Sequence, residues 1–256
     1  MKKQRTAIFD IAKLLAIFLV VLGHLLNECV GDPTILINFF HMPVLFFISG
    51  YFAAFSLIKY ETGIIVGKKI KSLLVPYLFW SGVSLAANLA LGVIKGTFAP
   101  ETVLQEAASI FLYARSVWFL AELLVSFLVF LAVHEFVRRM GKPSLAVPAQ
   151  FVVWLLLSCL IPGELFAFYK FKWLYPFFLA GWIVAQNRER VVNWLNSRRN
   201  GFAARIVSLA FPVLVFVFLN ENAFWEYTQF TYSQPQNTLY GILYYLISLT
   251  GVGLVM

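Results

Sequence analysis

The chain of 256 residues is 61% apolar and only 12% charged, whereas an average soluble domain is about 45 to 50% apolar and about 25% charged. Its mean hydropathy of +0.82 excludes a disordered or coiled-coil protein and a disulfide-stapled secreted fold, because one soluble core could not hide so many apolar side chains. The formal charge of +8 does not indicate a nucleic-acid binder, since the basic residues punctuate apolar runs instead of forming a hydrated face. The composition predicts an integral membrane protein whose main partner is the lipid bilayer.

Apolar runs of about 20 residues can cross a hydrocarbon core about 30 Å thick as helices, which satisfy their own backbone hydrogen bonds. We predict an all-α, polytopic transmembrane bundle of about eight spanning helices. No soluble domain or internal repeat interrupts the runs, so residues 1–256 are predicted to form a single membrane domain. The predicted spans are 8–27, 38–58, 73–94, 115–134, 145–163, 173–187, 205–220 and 238–256.

Lysine and arginine set the orientation of the bundle, because short cytoplasmic loops retain them. If the N-terminus lies inside, fifteen of the 20 basic residues fall on the inner side, and most acidic residues fall on the outer side. We therefore predict a cytoplasmic N-terminus and a location in the plasma or inner membrane of the cell. The fifteen are Lys2, Lys3, Arg5, Lys59, Lys68, Lys69, Lys71, Arg138, Arg139, Lys142, Arg188, Arg190, Arg198, Arg199 and Arg205.

The two cysteines, Cys29 and Cys159, form neither a CxxC pair nor a disulfide framework. We expect both to act as small packing residues and no metal to be bound.

Three polar residues in the first predicted span form a candidate site. Lys13 opposes membrane insertion by about 2.5 to 3.5 kcal/mol, and Asp10 is one turn away, where its carboxylate can meet the ammonium group. His24 follows Lys13 by eleven residues, and about 1100° of helical rotation returns it to within about 20° of the lysine. Such a stripe favours a cavity or channel, although a self-neutralising pair of Asp10 and Lys13 near the interface is the alternative.

His41 lies at the start of the second predicted span, toward the same outer side as His24. A histidine with a pKa near 6.5 can take and return a proton at neutral pH, as a general base must; the alternative is that each is an interfacial or core residue. Ser49, beside Gly50, suits close helix packing, and no GxSxG elbow surrounds it as a nucleophile would require. Glu122, one turn after Trp118, is the other ionisable candidate within a predicted span, unless water at the outer interface solvates it.

Lys68, Lys69 and Lys71 form a basic cluster in the predicted loop from Lys59 to Lys71, just before the third span. The cluster is either a topology signal or a phosphate-binding site. The aromatic residues that follow Pro76, including Tyr77, are either membrane-belt residues or a wall for a planar ligand.

Several segments, in this order, resemble the integral-membrane acyltransferase-three family and especially its fucose 4-O-acetylase-like branch. The family pattern of a basic residue, ten intervening residues and a histidine is met by Lys13 and His24. The spacing of its paired basic motif before the third helix is met by Lys68 and Lys71, with Ser72 where relatives often carry arginine. The matching segments are Asp10-Ile11-Ala12-Lys13, Val20-Val21-Leu22-Gly23-His24, Phe40-His41-Met42-Pro43, Phe46-Phe47-Ile48-Ser49-Gly50-Tyr51, Leu74-Val75-Pro76-Tyr77, Val117-Trp118-Phe119-Leu120 and Tyr175-Pro176-Phe177-Phe178-Leu179-Ala180-Gly181.

This resemblance implies acyl transfer, usually of acetyl from acetyl-CoA, to a hydroxyl of a sugar, an exopolysaccharide or another cell-surface glycan. On this basis we expect His24 to be the general base, with Lys13, Asp10 and His41 around it. Two further groups of residues are assigned to ligands. Lys68, Lys69, Lys71 and Tyr77 would bind the acyl-CoA, and Glu122, Trp118 and Ser49 would bind the acceptor.

Two other functions fit the same residues. Ionisable side chains along one helix also suit a proton-coupled secondary transporter or flippase, although such proteins often contain repeats, which this sequence lacks. Because the family usually has about ten spanning helices, the resemblance also predicts a member that is truncated at its C-terminus, and the third possibility is an inactive remnant.

Overall fold

The computed structural model describes residues 7–26, 33–161, 168, 170–219, 245–246 and 248–253, with side chains of residues 7–8, 23–26, 33–40 and 211–219 left out. These residues form helices and connections, without a strand in the described ranges, so the all-α prediction is confirmed. The helices are α1 (Ala7–Leu26), α2 (Pro33–Lys59), α3 (Thr62–Lys69), α4 (Val75–Ile94), α5 (Val103–Phe111), α6 (Trp118–Arg139), α7 (Ala146–Leu160), α8 (Phe171–Gln186), α9 (Arg188–Asn196) and α10 (Arg198–Leu219).

Each of the first seven predicted spans coincides with a helix, while most of the eighth, 238–256, lies outside the described residues. Four described helical stretches are long and apolar enough to cross a membrane. They are His41–Lys59, Thr62–Ile94, Trp118–Arg139 and Pro143–Leu160.

The structure corrects the predicted loop between Lys59 and Lys71. Only Tyr60 and Glu61 separate α2 from α3, and α3 continues into α4 through a π-helical turn at Ile70–Leu74. Pro76 stands at the start of α4, where its ring would clash with the carbonyl one turn earlier in a regular helix, and the wider turn relieves that clash. The helix is therefore longer than the apolar run, because the lysines at its N-terminal end are good helix formers.

Two smaller expectations are also corrected. His41 does not open the second helix, because α2 begins at Pro33, a residue that is favoured in the first turn of a helix. Cys159 is a free, exposed thiol on α7 and not a packed residue; in a membrane helix an exposed small side chain faces lipid at little cost. Cys29 lies outside the described residues.

The chain divides into two compact units, one made of Met1–Phe52 and Ala180–Met256 and the other of Ala53–Leu179. In the first unit, α1 buries Phe9, Ala12 and Ala16 and exposes a broad apolar face that includes Leu14 and Phe18, as expected of a helix in lipid. Gly181 packs directly against α2, where a Cβ atom would overlap the carbonyl oxygen of Phe47. A small residue at this position is what allows the close approach.

In the second unit, aromatic rings from α6 and α8 form the core. Phe178 contacts both Phe127 and Phe130, at centroid distances of 4.9 and 5.2 Å, and the ring of Tyr175 stacks on Phe171 at 4.5 Å. A buried amide, Gln150 of α7, joins the two helices: it donates to the carbonyl oxygen of Phe130 at 3.0 Å and accepts from the Tyr175 hydroxyl at 2.6 Å. These bonds replace water, which the hydrocarbon region does not supply.

Candidate functional site

In the first unit, Lys13 lies against an aromatic ring and not against Asp10. Its Nζ is 4.4 Å from the centroid of Phe52, and no ion pair joins it to Asp10, which is exposed. The contact is a cation–π interaction, which stabilises an ammonium group most where water is scarce. The ring centroid of Phe9 lies 4.5 Å from that of Tyr51 and 5.3 Å from that of Phe52. The lysine therefore stays beside α2 instead of reaching toward lipid.

The remaining predicted residues of the first unit lie on α1 and α2. His24 belongs to α1, but its side chain lies outside the described part, so its predicted alignment with Lys13 remains a prediction. His41 is buried, with 4% exposure, within α2. Ser49 is half-buried on the same helix, in the turn against which Gly181 packs.

In the second unit, the three clustered lysines point to different neighbours. Lys68 Nζ is 3.1 Å from the ring centroid of Tyr60, and Lys69 Nζ is 3.7 Å from that of Phe127 in α6. Lys71 is exposed in the π-helical turn. The structure therefore does not hold all three ammonium groups around one point, although π-helical turns are common at functional sites.

Tyr77 is buried at the start of α4, and its hydroxyl is engaged with protein. It donates toward the carbonyl oxygens of Phe111, at 2.8 Å, and Ile110, at 3.3 Å. The side chain packs with Ala114 and Ala121. In this arrangement Tyr77 attaches the end of α5 to α4.

Glu122 is the most unusual side chain of α6, because it is a fully buried carboxyl group in a membrane-spanning helix. Ser126, one turn later, donates a hydrogen bond to its Oε1 at 3.1 Å. Its other oxygen, Oε2, is buried and has no hydrogen-bond partner among the described residues. A buried carboxyl oxygen without a partner is costly, and ionisable groups of this kind usually mark functional sites in membrane proteins.

Lys170, just before α8, completes this cluster. Its Nζ lies 3.8 Å from the ring centroid of Trp118, one turn before Glu122. Burial lowers the pKa of Lys170 to about 8, and the charge of Glu122 opposes that shift. Carboxyl, ammonium, indole and hydroxyl groups are thus gathered within the apolar second unit, and together they can accept and donate hydrogen bonds to a polar ligand.

A charged cleft of about 820 Å³ lies at the other end of α6. Glu135 accepts from Arg138 at 2.7 and 2.8 Å, from Arg139 at 2.8 Å and from Thr62 at 3.2 Å. The α2–α3 turn supplies Lys59 and Tyr60 to the same cleft. Three positive side chains, Lys59, Arg138 and Arg139, and two negative ones, Glu61 and Glu135, line the cleft, so one positive charge is left over to attract an anion.

The pKa of Tyr60 is sensitive to the positive charge at this cleft. Hydrogen bonds from Lys59 and Lys68 lower the pKa of the Tyr60 hydroxyl, since both ammonium groups favour the phenolate. The corner between α2 and α3 therefore presents donors and positive charge together.

Sequence reasoning missed Lys170, Gln150 and the cleft around Glu135. Lys170 carried no signal beyond its predicted outer position, and its partners Trp118 and Glu122 are far away in sequence. Charged residues at positions 135, 138 and 139 follow the helical spacing that favours ion pairs, so that part of the cleft had a readable signal. Within the described residues no group of three or more histidine, cysteine or acidic side chains is arranged to hold a metal ion.

Comparison with known proteins identifies the family. A family model described as an acyltransferase domain matches residues 6–256. Nodulation protein NolL of Sinorhizobium fredii (strain NBRC 101917 / NGR234) is 31% identical over 206 residues, which make up 74% of this chain and 51% of that protein. Nodulation protein NolL of Mesorhizobium japonicum (strain LMG 29417 / CECT 9101 / MAFF 303099) is 26% identical over 202 residues, 75% of this chain and 50% of that protein.

The chain thus spans about half the length of these two curated relatives. No solved structure matches it significantly. The family model covers almost the entire chain, and its apolar helices agree with a membrane-embedded enzyme family. The chain therefore belongs to the acyltransferase-three family.

Proposed function

We propose that the chain is a membrane-embedded O-acyltransferase of the plasma or inner membrane. It would move an acyl group, acetyl in the simplest case, from cytoplasmic acyl-CoA to a hydroxyl of a sugar, an exopolysaccharide or another cell-surface glycan. The observation that carries the proposal is the match of the acyltransferase family model to residues 6–256. The buried polar cluster and the basic cleft of the second unit support it, because acyl transfer from a coenzyme needs a site for phosphates and a site for a polar acceptor.

The donor phosphates are proposed to bind at the end of α6 that carries Arg138 and Arg139. Lys68 belongs to this face through its contact with Tyr60, and Lys71 is exposed nearby in sequence. Lys69 points to Phe127 and is better placed to interact with the acyl-pantetheine arm than with phosphate. Arginine forks and ammonium groups are the donors that phosphate prefers in proteins.

Within the second unit, the acceptor is proposed to bind at Glu122 and Trp118, with Lys170 beside them. Oε2 of Glu122 is free among the described residues to accept a hydrogen bond from a sugar hydroxyl. Along α6, Glu122 and Arg138 lie about 24 Å apart at 1.5 Å per residue. The second unit therefore offers separate regions for an anion and for a neutral polar group.

The chemical step is proposed to depend on His24 as general base. The imidazole removes the proton of the acceptor hydroxyl, the oxygen forms a bond to the thioester carbonyl carbon, and the carbon–sulfur bond breaks. The proton returns from the imidazolium to the departing CoA sulfur, so the histidine is regenerated. Lys13 and Asp10 would set the charge near the base, and His41 would orient it or share the proton.

The proposal is tested by acceptor-dependent release of CoA thiol from acetyl-CoA, with the purified chain in micelles and a membrane glycan extract as acceptor. A histidine base typically contributes about 100- to 10,000-fold, so His24→Gln should lower kcat by at least about 100-fold. Equal amounts of folded protein in the membrane, and an unchanged melting temperature, control for misfolding.

Three results separate the proposal from its alternatives. Full activity of His24→Gln refutes the role of the base but leaves acyl transfer intact. Proton-coupled solute flux in vesicles, without any release of thiol, identifies a carrier. Absence of both activities in the intact chain would support the inactive remnant.

A further inference from the structure

A second basic surface lies in the first unit, at the corner between α9 and α10. Five arginines and only one acidic residue, Glu189, lie between positions 188 and 205. None of the five forms an ion pair within the part of the chain that is described. The five are Arg188, Arg190, Arg198, Arg199 and Arg205.

The corner is tightly built. Ser197 is extended between the two helices, and its carbonyl oxygen accepts from the Gly201 amide at 2.8 Å. A Cβ atom at Gly201 would overlap the carbonyl oxygen of Leu195, so only glycine allows α10 to begin this close to the end of α9. The resulting groove of about 790 Å³ is lined by Arg198, Arg199 and Arg205.

Exposed apolar side chains accompany these arginines: Leu195 and Phe202 line the groove, and Trp194 precedes Leu195 on α9. Trp194 is 53% exposed, Leu195 42% and Phe202 66%. Tryptophan is enriched at the level of lipid headgroups, because its ring is apolar and its N–H is polar. A water-soluble anion would need no such apolar border, whereas a phospholipid has both an anionic phosphate and acyl chains.

We propose that the α9–α10 corner binds an anionic phospholipid of the inner leaflet, with its phosphate between Arg198, Arg199 and Arg205 and its upper acyl region against Trp194 and Phe202. The position agrees with the predicted cytoplasmic side, where anionic headgroups attract juxtamembrane basic residues. Guanidinium forks match phosphate in a bidentate manner. This proposal is independent of the proposed acyl transfer.

The test uses the full chain in phosphatidylcholine vesicles that contain a minor fraction of brominated phosphatidylglycerol or, in parallel, brominated phosphatidylcholine. Bromine quenches tryptophan fluorescence at short range, and the Trp194→Phe variant isolates the contribution of Trp194. We expect more quenching of Trp194 by the anionic lipid than by the zwitterionic one. At about fivefold per arginine, Arg198→Gln/Arg199→Gln should lower the preference for the anionic lipid by at least about tenfold.

The matched control is Lys95→Gln/Arg115→Gln, which removes two exposed positive charges on the predicted outer side and should keep the preference. If the arginine variant does not fold, a sodium chloride titration of the wild-type chain replaces it, because screening should weaken the preference. Equal quenching by the two lipids overturns the proposal, and so does a preference that is unchanged in the folded arginine variant or, where the salt titration replaces that variant, in high salt. A preference abolished by added coenzyme A also overturns it, since the groove would then belong to the acyl donor.

Discussion

Gln150 should contribute measurably to the free energy of unfolding, because its side-chain amide hydrogen-bonds to both α6 and α8 inside the second unit. The side chain is fully buried, and Gln150→Leu keeps its size while removing both hydrogen bonds. The carbonyl oxygen of Phe130 also accepts the regular hydrogen bond of the helix, so losing the bond from Gln150 costs little free energy. The buried hydroxyl of Tyr175 is left without its partner, at a cost of about 1 to 3 kcal/mol.

We therefore expect Gln150→Leu to lower the free energy of unfolding by about 2 kcal/mol and Tyr175→Phe by about 1 kcal/mol. The double variant should be no less stable than Gln150→Leu alone, because the orphaned hydroxyl is gone, which corresponds to a coupling of about 1 kcal/mol. Hydrogen bonds between membrane helices average about 0.6 kcal/mol and reach about 1.7 kcal/mol. The expected coupling energy between Gln150 and Tyr175 therefore lies in the upper part of the known range.

The assay is equilibrium unfolding in mixed micelles with increasing sodium dodecyl sulfate, followed by circular dichroism. Gln105→Leu is the matched control, since Gln105 is exposed on α5 and the same change should alter stability little. Strictly additive effects of the two core changes would show that the 2.6 Å contact between Gln150 and Tyr175 carries no net energy, and the reasoning would fail.

Two more predictions use the same assay. Gly181→Ala should destabilise the chain by about 1 to 3 kcal/mol through overpacking against Phe47, whereas Gly63→Ala, which meets no atom within 4 Å, should be neutral or stabilise by up to about 1 kcal/mol; equal effects would refute the close approach. The pKa of Lys170, about 8 instead of 10.5, means that the unfolded chain binds more protons between these values, so the free energy of unfolding should rise with pH there. Lys170→Met should flatten that rise, and an unchanged slope would contradict the burial of the ammonium group.

Hydropathy predicted most helices because each apolar run is long enough to be recognised without knowledge of its neighbours. The same signal began the third span too late, since Lys68, Lys69 and Lys71 interrupt the apolar run but do not interrupt the helix. The π-helical turn before Pro76 had no signature of its own. Positions where a helix continues through polar residues are decided by backbone hydrogen bonds, which a hydropathy pattern does not report.

The candidate site shows a similar division between what a single segment reveals and what it does not. Glu122 was identifiable because a carboxyl group in an apolar run is expensive. Its neighbour Lys170 was not, because the contact with Trp118 joins positions that are distant in sequence and depends on where α8 begins. Likewise, the spacing of Asp10 and Lys13 permitted an ion pair, but Phe52, on another helix, provides the closer contact. The energetic cost of a buried charge thus identifies which residue needs a partner, while only the packing of helices determines which residue supplies it.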